Sequence, residues 1–112
     1  MMAQALKLDS RISFRTSEKT DDGLTEVDGF GEPGPEVWAG KVDVSDAERL
    51  RAGQVSSTLT RRFVVASMAL TRAVTPKDRL VYDGVDYEIY SIKEIGIRWR
   101  LEITAGAERV DP

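Results

Sequence analysis

The side chains here that can do chemistry are carboxylates, arginines and a few aromatic rings, because histidine and cysteine are both absent. Losing histidine removes the commonest general base and the commonest metal ligand together. Losing cysteine excludes disulfides and thiolate metal sites. The nucleophile motif G-x-S-x-G, the phosphate loop G-x-x-x-x-G-K-[ST] and the dinucleotide motif G-x-G-x-x-G are missing as well. Gly29-Phe30-Gly31 comes nearest, without a strand-to-helix setting around it.

The carboxylates are unevenly spread. Glu18, Asp21, Asp22, Glu26, Asp28, Glu32 and Glu36 face Lys19 alone, so residues 18–36 carry −6 and, with a net charge of −3, the remainder carries +3. A paired-carboxylate hydrolase needs burial to raise one carboxyl pKa. A segment containing Gly23, Gly29, Gly31, Pro33, Gly34 and Pro35 offers no such burial. Neither Asp21-Asp22-Gly23 nor Asp28-Gly29 meets the twelve-residue calcium-loop spacing with its bidentate glutamate. The reading is no enzyme, no metal and no cofactor, with the acid as a solvated run.

Arg61-Arg62, Arg98 and Arg100 fall in stretches of strand character. The preferred reading is a wet sheet face whose arginines pair across strands with Asp86, Glu88 or Glu102. Trp38 and Trp99 are read as core anchors in strands, Trp99 lying on the apolar parity. The negative net charge opposes a general nucleic-acid binder.

These residues need elements to hold them. The 112 residues suit one domain with a modest core. No window approaches 18 apolar residues, and the start lacks the layout of a secretory signal, so the expectation is a soluble chain made in the cytoplasm. Residues 11–16 alternate like a half-buried strand. Residues 17–36 read as one long acidic loop, broken by glycine and proline. A strand at 37–44 precedes Ser45-Asp46-Ala47-Glu48, a capping box that starts a short helix ending near Ala52, with Gly53 as its C′ residue. Only Leu50 could anchor that helix, so it is expected to move easily.

From Gln54 to Met68 one long strand is expected. Leu59, Phe63 and Val65 share one parity and Val64, Ala66 and Met68 the other, which predicts a bulge or a passage between sheets. Thr75-Pro76-Lys77-Asp78 is a turn. Asp83-Gly84 between Arg79–Tyr82 and Val85–Ile89 predicts a type I′ hairpin. Ile97 to Ile103 alternates throughout as a strand with one wet face. The fold class is mainly β: a small antiparallel barrel of about six strands with one short helix and a long acidic loop, or a compact sandwich.

The order of the pieces is more specific than any one of them. Val37-Trp38-Ala39-Gly40-Lys41-Val42, the 45–52 helix, Thr58 to Val65, the block Val74 to Gly84 with Tyr87-Glu88-Ile89, and the strand Arg98 to Ile103 resemble the head-tail joining (head-completion, or stopper) proteins of tailed phages. The resemblance covers about residues 9–105. It implies a barrel that assembles as a homo-oligomeric ring, 6- or 12-fold, between a portal-adaptor protein above and a tail terminator or tail tube below. Double-stranded DNA would pass through the lumen without sequence-specific binding, and no membrane is involved. Assembly in the host cytoplasm would precede a place at the head-tail junction of a phage or gene transfer particle.

In relatives the segment between the second and third strands reaches the channel. Carried over, it is about residues 43–57, with Ser45, Asp46, Glu48, Arg49 and Arg51 as its polar side chains. The acidic loop, through Asp21, Asp22, Glu26, Asp28, Phe30 and Glu32, would face a neighbouring subunit or the tail. Its length departs from the family pattern.

Two rival readings share the pattern: another ring-forming tail part, such as a terminator or distal-tail adaptor, and an oligonucleotide-binding barrel stacking bases on Trp99 and Tyr87. The charge balance predicts no binding of single-stranded DNA. A complex that weakened steeply between two salt concentrations would instead support the nucleic-acid reading.

Overall fold

The computed structural model describes residues 6–21, 26–44 and 58–108. Six strands close into an antiparallel barrel in the order β1-β4-β5-β8-β7-β6, with β6 pairing back onto β1. They are β1 (Ser10–Arg15), β4 (Val37–Asp43), β5 (Thr58–Ala66), β6 (Arg79–Tyr82), β7 (Val85–Ile95) and β8 (Arg100–Glu108). A separate two-stranded sheet, β2 (Ser17–Asp21) with β3 (Glu26–Phe30), stands between β1 and β4. The helix α1 (Ala69–Arg72) links β5 to β6.

Alternation decides what goes inside. Ile12 and Phe14, Val37 and Ala39, Phe63 and Val65, Leu80, Tyr87 and Ile89, and Leu101, Ile103 and Ala105 form one buried cluster. The register aligns them in rungs, such as Ile12 with both Val37 and Tyr82, and Phe63 with Ile103. Phe63 is fully buried and meets two tyrosine rings, Tyr87 edge-on at 5.4 Å and Tyr82 at 5.7 Å. Such tilted and edge-to-face contacts suit the ring quadrupoles.

Several expectations are corrected here. Residues 17–36 are not one long loop. Five register pairs, Ser17 with Phe30 through Asp21 with Glu26, make a hairpin, and among the described residues of this stretch only 31–36 run without strand pairing. The breakers crowd at Gly29 to Pro35, while residues 17–21 hold none, and charged residues suit a ribbon that lies apart from the barrel. The parity change in β5 marks no bulge, since β5 pairs with β8 without a break from Thr58 to Ala66. Val64 is buried on the outer side because that side is covered too. Leu6 lies against Gly40, the residue in register with Val64, so closely that a Cβ at position 40 would come within 2.5 Å of its Cγ. A strand covered on both faces reads as continuously apolar. The bulge sits in β7 instead, between Ile89 and Ser91.

The last strand starts only at Arg100. Residues 96–99 form the β7–β8 turn, with Gly96 and Arg98 in the left-handed region at φ 69° and 52°. The Asp83-Gly84 hairpin forms as expected, with φ 53° and 75°. So does the 75–78 turn, closed by the Asp78 amide donating to the Thr75 carbonyl at 3.0 Å. The helix expected at 45–52 lies outside the described residues. The described helix, α1, is held by Thr71, whose Oγ1 donates to the Ala66 carbonyl at 2.6 Å and accepts from the Met68 amide at 3.0 Å.

Truncating the central ring should be costly. Phe63→Ala is expected to remove about 3–5 kcal/mol of stability, read as a lowered urea midpoint at unchanged slope.

Candidate functional site

One end of the barrel gathers the starts of β1, β5 and β7 and the ends of β4, β6 and β8. There the inward parity turns from apolar to polar. Lys41 and Asp43 continue the inward series of Val37 and Ala39, and Arg61 continues that of Phe63 and Val65. Arg61 stands in register with Asp43, its Nε 3.0 Å from Oδ1. That contact is a charge contact off the hydrogen-bond line, so the buried Nε has no hydrogen-bond acceptor among the described residues. Arg61 Nη1 donates to the Tyr87 hydroxyl at 3.1 Å.

The Tyr82 ring has two cationic neighbours, the Arg61 guanidinium at 5.6 Å and the Lys41 ammonium at 5.4 Å. Burial pushes the Tyr87 hydroxyl above its ordinary pKa of 10.0, and the charge and hydrogen bond of Arg61 draw it part of the way back. The cluster passes from dry to wet, with Tyr87 2% exposed and the Asp43 side chain 66% exposed. Beyond it, the Val44 amide donates to the Thr60 carbonyl at 3.0 Å, adding a pairing past the end of β4. The predicted segment starts here. Ser45, Asp46, Glu48, Arg49 and Arg51 all lie outside the described residues; only its root, Asp43 and Val44, is described.

The opposite end anchors the β2–β3 hairpin. Phe30 lies under the Arg79 guanidinium at 4.4 Å, with that of Arg15 at 5.9 Å. Arg15 donates from Nε to the Gly31 carbonyl at 2.8 Å and pairs with Asp86 at 2.5 Å. Asp78, 8% exposed, accepts from the Ser17 amide with one carboxylate oxygen and from the Thr75 amide with the other, both at 2.9 Å. It thereby ties the hairpin base to the 75–78 turn. Of the predicted loop residues, Phe30 is half-buried at this anchor and Glu32 is exposed. Asp21, Glu26 and Asp28 lie in the hairpin strands with side chains outside the described set, and Asp22 lies outside it altogether.

Other residue readings change as well. Trp38 and Trp99 are not core anchors: they are 51% and 40% exposed. Trp38 is on the outward parity of β4, where the Arg11 guanidinium stacks on it at 4.6 Å, and Trp99 belongs to the β7–β8 turn. Arg62 does meet Glu102, at 4.0 Å. Asp86 pairs with Arg15, and Arg61 turns inward to Asp43. The parity of Phe63 and Val65 already assigns position 61 to the interior, a signal that the reading of a wet arginine face passed over.

A family model described as phage head completion protein matches residues 3–108. The chain belongs to the phage head completion protein family. That family comprises structural components of phage particles. Among solved structures, this head completion protein is similar to a chain in the virion of a native gene transfer agent particle. The identity is 22%, with 94% of this chain and 98% of that one covered and a TM-score of 0.69. It is also similar to protein SF1141 of Shigella flexneri 2a, solved in solution, at 22% identity, 88% and 91% coverage and a TM-score of 0.67. At such identity these likenesses concern the fold. No curated protein matches.

Tyr87→Phe keeps the ring and loses the bond to Arg61, and is expected to cost about 1–2 kcal/mol. Because the folded pKa of Tyr87 is raised, its contribution is fully present below pH 10.0 and is lost as pH rises through the folded value. Urea midpoints measured from pH 9 upward should therefore fall less steeply in Tyr87→Phe than in the unaltered protein.

Proposed function

We propose that this head completion protein acts as the stopper of the head-tail connector. Copies form a cyclic ring, 6- or 12-fold, below the portal and its adaptor, retain packaged DNA and offer the tail terminator or tail tube its docking surface. The segment running from Asp43 to residue 57 closes the channel before ejection. The ring assembles in the host cytoplasm and then stays in the particle.

The observation that supports this reading most is the paired root of that segment. On the inner side Arg61 Nε lies 3.0 Å from the Asp43 carboxylate, and on the backbone Val44 is bonded to Thr60, so β4 and β5 are held together where the segment leaves and rejoins the barrel. A gate needs such a frame, because force on the moving part must be borne by a part that stays put. The closed barrel supplies it, and no catalytic group is required.

A lumen surface that is acidic or neutral repels phosphates and lets DNA slide rather than adhere.

Particles assembled without this chain are expected to package DNA, lose it, and fail to take tails, as seen by nuclease protection and electron microscopy. Filled, DNA-retaining heads with tails attached would overturn the proposal.

A further inference from the structure

The end of the barrel opposite Arg61 carries an apolar knob and an apolar hole. Among the described residues nothing fills the hole, and on the knob the Arg100 guanidinium stacks on Trp99 at 4.5 Å. The knob is the β7–β8 turn. Ile97 at its apex is 94% exposed, and Trp99 and Met68 beside it are 40% and 41% exposed. Met68 belongs to the same patch because the Ser67 amide donates to the Trp99 carbonyl at 2.9 Å. The turn is set in shape: Gly96 and Arg98 take left-handed conformations, and the Arg98 amide donates to Glu94 Oε1 at 2.9 Å. An isoleucine presented this way loses little further freedom on binding.

The hole is a cleft of about 350 Å³ between α1 and the 34–35 stretch, walled by Phe14, Pro35, Leu70, Ala73 and Val74. Asp78 borders it, but both its carboxylate oxygens are occupied by backbone amides. The cleft therefore suits an apolar guest. The rim is mixed in charge, with exposed Glu32 on the wall that holds Pro35, where Glu36 already lies 3.9 Å from Arg11, and exposed Arg72 and Lys77 beside the α1 wall. The knob likewise carries exposed Arg98 next to Glu94, and its Arg98 side suits the Glu32 side of the rim.

We infer that the β7–β8 turn of one copy seats Ile97 in the α1 cleft of a second copy of this chain, with Arg98 against Glu32 on the rim. Knob and hole are different patches, so the contact is heterologous and repeats head to tail. Where the rotation closes, it makes a ring. The inference rests on the proposed ring and names the surface that builds it.

The chain has no cysteine, so introduced pairs report without background. Particles carrying Ile97→Cys with Ala73→Cys, mildly oxidised, are expected to give a ladder of covalent multimers, and each single variant no more than dimers. Arg98→Glu should thin the ladder, and Glu32→Arg added to it should restore it. In the purified chain, Ile97→Asp should weaken self-association roughly tenfold to a hundredfold by sedimentation, the value of one buried aliphatic side chain. The inference is overturned by particles that incorporate the double-cysteine variant yet give no ladder. It is overturned equally by cross-links from position 73 or 97 to another virion protein, or by self-association that Ile97→Asp leaves unchanged. A ladder in particles carrying the double-cysteine variant, together with DNA retention in particles lacking the chain, would keep the interface and sink the stopper reading. DNA loss from particles lacking the chain, with no ladder in those carrying the variant, would do the reverse.

Discussion

Closure of the barrel through β1 is the constraint on which the other features rest. This strand of six residues pairs with β4 on one side and β6 on the other, so Ile12 faces Val37 and Tyr82 at once. With β1 in place no barrel strand has a free edge, and every inward side chain must fit a bore that only side chains can fill. Phe63, with Tyr82 and Tyr87 tilted against it, occupies the middle of that bore. The two ends are then left to different chemistry.

At one end the bore opens to water gradually. Arg61 is long enough to keep its stem among apolar neighbours while its head reaches the Tyr87 hydroxyl and the Asp43 carboxylate. An arginine held there by a tyrosine, a carboxylate and the Tyr82 ring face costs less than a bare buried charge. It also links β4 to β5 near the points at which they leave the barrel. At the other end, a single buried carboxylate, Asp78, joins three separate stretches: the base of the β2–β3 hairpin, the 75–78 turn and the start of β6. The hairpin can project from the barrel because this anchor, together with Phe30 against the arginines, holds its base.

In the proposed reading the two ends have different jobs in an assembled particle. A frame of paired strands suits a part that must resist force, and an exposed apolar turn beside an apolar cleft suits contact between copies. Neither calls for a reacting group, in keeping with membership of a structural family. Among the described residues no three metal-ligating side chains come together, and no helix is long and apolar enough to cross a membrane.

Much of the barrel was legible from period-two alternation and turn chemistry, because both are local. The Asp83-Gly84 hairpin needs two positive φ values that its residues accept, and Pro76 pre-sets the 75–78 turn. The inward set Phe63, Val65, Leu101 and Ile103 follows from alternation alone, as does the absence of histidine and cysteine chemistry from composition. What covers an outer face is not local. Only the tertiary structure shows that Leu6 lies on Gly40 and so buries Val64, that Trp99 belongs to a turn and stays exposed, and that an acidic stretch pairs with itself as a hairpin. The same holds for Arg61, whose alternation names a face but not the partners waiting there. Those partners, Asp43 and Tyr87, come from strands 18 and 26 residues away in sequence, brought to Arg61 only by the strand pairing of the barrel.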